Sequence, residues 1–225
     1  MAASAMFDAD VIIIGSGFGG SVAAMRFAEA GHRVLVLERG KRVSRDSFEP
    51  DMDFFWRPHK NRYGFNEFRF RGRHLIPWLG AAVGGGSHVY AGTLKRRAEF
   101  DGFPQAIRDD DLDGYYDRAE TMLGATEYPS YPPYSDVRAT ALLLEAGDEM
   151  AGDPDVVDHG PIKLGISFAP ADATPGATFE NDHGCPQRYY DPGEQSILGG
   201  DIGAKNSLDR NYLFCGKNTA PRSNR

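Results

Sequence analysis

Residues 8–40 read DADVIIIGSGFGGSVAAMRFAEAGHRVLVLERG, and this stretch decides the fold. Residues 9 to 14, Ala-Asp-Val-Ile-Ile-Ile, are β-branched and apolar without alternation, the pattern of a strand buried on both faces of a parallel sheet. Glycines follow at once. Between positions 18 and 30, Val22, Ala23, Met25, Arg26 and Phe27 fall at helix-compatible spacing, and Gly31 is placed to cap the helix C-terminus. Val34 to Leu37 reads as a second buried strand. Strand, glycine turn, helix and strand in such close succession predict a βαβ unit, and parallel strands joined this way require a right-handed crossover.

The turn itself is Gly15, Ser16, Gly17, Phe18, Gly19 and Gly20, in which Gly15, Gly17 and Gly20 fill the positions of G-x-G-x-x-G. Gly15 permits the tight turn out of the strand, Gly17 lets backbone approach a pyrophosphate, and Gly20 allows helix to pack closely on sheet. Phosphates then sit at the positive end of the helix among N–H groups that have no helical partner. The motif follows a strand, opens a helix and is followed by a second strand ending at Glu38, which is the context that gives it meaning. Glu38 is the expected acceptor for ribose hydroxyls. Its carboxylate repels a 2'-phosphate, so FAD or NAD is favoured over NADP. A glycine turn without a ligand is the alternative.

A second cluster, Gly80-Ala81-Ala82-Val83-Gly84-Gly85-Gly86-Ser87, lies further on. Three successive glycines cost conformational entropy, and the run is easiest to explain if backbone closely approaches something flat or anionic. Ser87 adds a hydroxyl donor there. The alternative is a flexible surface linker, against which the apolar Ala81, Ala82 and Val83 argue.

The 225 residues carry 25 Lys and Arg against 32 Asp and Glu, a formal charge of −7. That balance argues against neutralising the phosphates of duplex nucleic acid. Two cysteines, Cys185 and Cys215, provide neither a disulfide framework nor a four-cysteine zinc site, and none of the six histidines has metal-ligand spacing. No apolar run reaches the length of a transmembrane segment, and the first ten residues lack the basic and apolar regions of an export signal. A cytoplasmic location is the resulting expectation.

Residues 41–79 are irregular and rich in aromatics and arginines, and predict a long excursion with little regular structure. Helices are expected over residues 110–124 and 137–150, a strand over 162–168, and loop with short elements over 170–200. The basic run from Arg57 to His74, interleaved with aromatics, reads as a solvated loop or as a lid. Each histidine, His88 included, is by default a solvated loop residue.

Residues 8–40, the later VGGGSHVYAG and the segment GAKNSLDRNYL at 203–213 together resemble the FAD-binding part of the glucose-methanol-choline oxidoreductases, in their cholesterol oxidase-like branch. The resemblance runs over about residues 8–213. It implies an α/β architecture with a Rossmann-type FAD domain into which irregular and helical pieces of a substrate domain are inserted. The implied division is 1–100 for the FAD-binding portion, 101–200 for a partial substrate region and 201–225 for the return toward the FAD domain. Gly15, Ser16, Gly17, Phe18, Gly19, Gly20 and Glu38 would contact the pyrophosphate and adenosine ribose of FAD, with Gly85, Gly86 and Ser87 against the flavin. The implied reaction passes a hydride from a small-molecule alcohol, a sterol in that branch, to the flavin, which oxygen or another acceptor reoxidises.

Three departures accompany the match. The family often has asparagine where this chain reads Val89-Tyr90-Ala91-Gly92, and it usually has several cysteines before the GAKN segment. Its catalytic His with a His or Asn partner lies beyond the length of this chain, so no catalytic residue is assigned. The expectation is therefore a truncated chain, a fragment or a frameshift that binds FAD poorly and turns over no alcohol. An interaction remnant, a dehydrogenase of a sugar or simple alcohol, and an NAD-binding protein are the competing readings.

Overall fold

The structure, a computed structural model, describes residues 7–43, 55–69, 72, 74–156, 159–193 and 203–219. Strand β1 (Val11–Ile14) pairs in parallel with β2 (Val34–Leu37), Val11 opposite Val34 and Ile14 opposite Leu37, and helix α1 (Phe18–Glu29) crosses between them. Both ends of the pair are pinned. At the start, Arg33 donates two guanidinium bonds and its backbone N–H to the Asp10 carboxylate, which holds that carboxyl down at about 2. At the finish, Gly15 N donates to Leu37 O at 2.7 Å.

The strands are not buried on both faces as their composition suggests. Ile13 faces α1, where a Cβ on Gly20 would come within 3.3 Å of its side chain. On the opposite face Ile12 is 61% exposed and Ile14 88%, with Leu35 and Leu37 exposed beside them. An unalternating apolar strand reports that both faces suit burial, but among the described residues only one layer is present to do it.

Residues 55–80, read from sequence as irregular, contain two short antiparallel pairs: β3 (Trp56–Arg57) with β4 (Arg62–Tyr63), and β5 (Asn66–Phe68) with β6 (Trp78–Gly80). Cross-strand aromatics hold them. Trp56 meets Tyr63 edge to face, Phe68 stacks on Trp78, and the Trp78 indole donates to Asn66 Oδ1 at 2.8 Å. Arg39, just beyond β2, lies over the Trp56 ring and pairs with Glu67. The second glycine cluster is thereby brought back to β2, where Val83 N donates to Lys41 O and Lys41 bridges Ala82.

Beyond it lie α2 (Gln105–Arg108), α3 (Asp113–Met122), β7 (Thr126–Glu127), α4 (Arg138–Glu149), β8 (Lys163–Leu164), β9 (Thr178–Glu180) and β10 (Pro186–Arg188). Helices α3 and α4 fall within the expected ranges. The strand expected over 162–168 shortens to β8, because the segment changes partner as it runs: Leu164 bridges Thr93, Ile166 bridges Lys205 and Phe168 bridges Tyr190. Alternating partners leave no ladder long enough to be one strand. Tyr134 is fully buried among Tyr128, Tyr131, Phe168 and Tyr190, its hydroxyl donating to Tyr190 O and accepting from Ala169 N.

Helix α5 (Tyr212–Thr219), which the sequence reading did not anticipate, packs on α1 so closely that a Cβ on Gly216 would lie 3.2 Å from Met25 Cα. Met25, Tyr212, Leu208 and Leu123 form the core between them.

Two glycines separate packing from propensity. A Cβ at Gly40 would sit 2.0 Å from Ala81 O, against backbone that cannot move aside, whereas Gly114 in α3 has open space around it. Gly40→Ala is expected to cost about 3 kcal/mol in chemical denaturation, while Gly114→Ala gains roughly 0.5–1 kcal/mol. Equal effects at the two positions would contradict this packing.

Glu120 accepts from Arg96 and Lys163, chiefly the Arg96 bond, and its carboxyl falls to about 2 from an ordinary 4.5. A depressed carboxylate contributes stability above its unfolded pKa and loses it as pH falls through the folded one. Between about pH 4.5 and 2 the thermal midpoint of Glu120→Gln should therefore fall less steeply than that of the parent chain.

Candidate functional site

The N-terminus of α1 is where the two glycine clusters meet. Gly17 is the residue before the first turn, no side chain caps that end, and a Cβ at Gly17 or Gly19 would have nothing within 4 Å of it. The opening is therefore backbone N–H groups facing free space, at the positive end of a 12-residue helix. Gly20 is closed in, since a Cβ there would lie 2.0 Å from Gly15 O. Gly15 itself, at φ +91°, turns the chain out of β1 in a conformation that L side chains rarely adopt.

Ser16 joins everything around this turn. It is 1% exposed; its backbone N–H and its hydroxyl both donate to Glu38 Oε2, at 2.9 and 2.8 Å, and its Oγ accepts from Gly84 N at 3.0 Å. Glu38 Oε1 accepts from Gly40 N at 2.9 Å. Burial opposes ionisation of Glu38, but the Gly40 and Ser16 donors outweigh it and hold the carboxyl below its ordinary value. Ser16 supplies both donors to Oε2, and the Gly40 and Arg39 backbone N–H groups bond the carboxylate as well.

The second cluster is seated on the first. A Cβ on Gly85 would lie 2.8 Å from Gly17 Cα, and one on Gly86 would lie 3.9 Å from the Phe18 ring, which stands edge-on to Tyr90. Ser87 is fully buried, and its hydroxyl donates to Gly84 O and accepts from Leu208 N. That hydroxyl is part of the scaffold, and its only proton is already donated.

His88 is buried rather than solvated. Its Nε2 lies 2.8 Å from Val83 O, a bond in which the ring must donate because a carbonyl only accepts, and 3.6 Å from Asp209 Oδ1. Asp209 Oδ1 is buried with no hydrogen-bond partner among the described residues, and Asp209 lines a cavity of about 390 Å³ together with Ser16, Glu38, Ala24 and Val36. A run of glycines next to a histidine gives no sequence signal that the ring turns inward.

The GAKNSLD segment explains itself once placed. Lys205 Nζ donates to His88 O and Tyr90 O, and Asn206 donates to Leu123 O while accepting from Ser167 and Gln187. Leu208 fills the core and Asn211 returns a bond to Asn206 O. Lys205, Asn206 and Asp209 are thus the supports of the glycine cradle that the sequence reading did not pick as site residues. Their close spacing in one polar run was the available signal.

Residues 10–48 match the family described as FAD binding domain. A cholesterol oxidase of Acinetobacter baumannii is 34% identical over 92% of this chain and 38% of its own length. One from Mycobacterium tuberculosis is 37% identical over 92% of this chain and 36% of its own. Over most of its own length the chain is similar to these cholesterol oxidases. The resemblance to the glucose-methanol-choline oxidoreductases stands, and FAD is the cofactor. A paromamine 6'-oxidase of Streptomyces fradiae is also 33% identical, over 64% of this chain and 29% of that protein. The chain spans little more than a third of the length of the curated relatives it matches. No helix among the described residues is long and apolar enough to cross a membrane.

Ser16→Ala removes the bridge between Glu38, Gly84 and the turn, leaving a buried N–H at Gly84 without an acceptor. A loss of about 2 kcal/mol in urea denaturation is expected, with Ser16→Thr intermediate; a neutral Ser16→Ala would show that the bridge carries no stability.

Proposed function

We propose that this chain forms the cofactor cradle of an FAD-dependent oxidoreductase acting on CH–OH groups, with a sterol such as cholesterol as substrate class. The observation that carries the reading is the seating of the second glycine cluster on the first through Gly84 N and Ser16 Oγ. A lone glycine turn at a helix end suits any dinucleotide; a second backbone surface pressed against it suits a cofactor that is both anionic and flat. The β1–α1–β2 unit is read as the start of a Rossmann-type domain, residues 101–200 as part of a substrate region and 201–225 as the return to the cofactor domain.

In this reading the first-turn N–H groups of α1 hold the pyrophosphate, with Gly17 and Gly19 leaving room for it. Glu38, kept ionised by Gly40 and Ser16, accepts a ribose hydroxyl. Gly85 and Gly86 present backbone toward the flavin end, and the Phe18–Tyr90 pair closes the side. Bound FAD supplies the hydride-accepting ring system, and the protein positions it. The alcohol, its proton acceptor and the electron acceptor, oxygen or another, are assigned to the part of the relatives' length that this chain does not span.

The identity to a paromamine 6'-oxidase favours a second reading of the substrate, a polar sugar-like alcohol. The open face at Ile12, Ile14, Leu35 and Leu37 favours a chain that needs further polypeptide to be stable.

Flavin titration of the 225-residue chain tests the cradle. Weak but saturable FAD binding is expected, reduced about tenfold in Glu38→Gln by loss of a hydrogen bond to a charged group, and abolished in Gly17→Asp. No steroid-dependent peroxide is expected from the chain alone. Identical FAD binding by the parent chain and a folded Gly17→Asp would overturn the assignment.

A further inference from the structure

The parallel pair has an open edge at β2. Val11 N donates to Arg33 O and Gly15 N to Leu37 O, so the odd-numbered residues of this strand turn their main chain toward β1. By the alternation of a strand, the N–H and C=O groups of Val34 and Val36 point the other way. Among the described residues β1 is the sole strand neighbour of β2. Pairing resumes only beyond its end, where Lys41 bridges Ala82 in parallel.

Beside this edge lies the cavity of about 390 Å³ that Asp209 lines. To it β2 contributes Val34 and Val36, α1 contributes Ala24 and Ala28, and α5 contributes Leu213 and Phe214. Hydrocarbon therefore flanks the same two residues whose main chain is unpaired. Ser16, Glu38 and Asp209 mark the end of the cavity where β2 finishes, and Arg42 and Lys217 also line it. Helix α5 walls the space by packing on α1, with Gly216 against Met25.

We infer that the groove between the β2 edge and α5 receives an extended strand of polypeptide, paired parallel to β2, with alternate apolar side chains directed into the cavity. Donors and acceptors repeated along an edge, with pockets for every second side chain, are what strand addition uses. The direction follows from the helices. Helix α1 runs back from the end of β1 toward the start of β2, and α5, which starts just after Asp209 at that same end and passes Met25, runs the same way. A helix running back against the strands is the element that precedes a parallel strand. The occupant is polypeptide of the kind the relatives carry in the length this chain does not span, since the chain covers 38% and 36% of two of them. The pairing rests on the β2 edge and stands whether or not the cradle takes FAD.

Fluorescein-labelled Lys-Val-Thr-Val-Glu-Val-Thr-Val-Lys, blocked at both ends, serves as the probe for the 225-residue chain. A parallel strand with its valines directed inward turns the N–H groups of its threonines and glutamate toward β2. Saturable one-to-one binding in fluorescence polarisation is expected, abolished by N-methylation of the threonines and glutamate and kept within about threefold by N-methylation of the valines. Ala28→Phe narrows the groove and should weaken the peptide about tenfold or more, whereas Ile14→Thr on the open sheet face leaves it unchanged. Should Ala28→Phe fail to fold, Leu213→Trp closes the groove from α5 and must give the same loss. A benzophenone at the peptide N-terminus should cross-link near Val34 and one at its C-terminus near Glu38, and the reverse assignment would refute the parallel direction. Absence of saturable binding, equal effects of the two N-methylated peptides, or binding lost in Ile14→Thr and kept in the filled variants would overturn the proposal. So would a chain that is dimeric in light scattering and stays dimeric in excess peptide, which would give the edge to a second copy.

Discussion

The Ser16 hydroxyl is the interaction on which the rest of this structure depends. A glycine turn must leave β1, open a helix and still hold its shape with few side chains to fix it. Ser16 provides that fixation, donating to the carboxylate at the end of β2 and accepting from the backbone of a segment 68 residues further along the chain. The arrangement needs an oxygen that both gives and takes a hydrogen bond, at a place too tight for a larger side chain. Alanine gives neither, and a carboxylate would repel Glu38.

From this constraint follows the use of glycine elsewhere. Bringing the second cluster onto the first requires backbone to pass backbone at Gly17 with Gly85, at Gly40 with Ala81 and at Gly80 with Gly85, contacts at which a Cβ would lie within 3 Å of main-chain atoms. Gly17 and Gly19, where an added Cβ would meet nothing within 4 Å, are different in kind from the glycines that close the scaffold. Around the cradle, charges are arranged so that burial does not neutralise them. Glu38 keeps its charge through main-chain donors, and Lys205 meets only carbonyl oxygens among the bonds it makes to His88 and Tyr90.

Local chemistry carried much of this in the sequence. The βαβ unit, the crowded Gly20 and the helices α3 and α4 follow from periodicity and from glycines placed where a turn demands them. What did not show were features that depend on distant partners. His88 sits among glycines in a segment that reads as loop, and turns inward only because Val83 folds back beside it and Asp209 arrives from far along the chain. The hydroxyl of Ser87 looks like a free donor until Leu208 and Gly84 engage it. The aromatic residues of 55–80 gave no clean alternation, because their strands are two or three residues long and are held by ring contacts rather than by a buried face.

Among the described residues an apolar sheet face is left open, and its shape bears on what covers it. The face made by Ile12, Ile14, Leu35 and Leu37 is the flat side of a two-stranded parallel pair. Parallel strands are found covered on both faces, so a flat apolar face of this kind is matched by another layer of polypeptide.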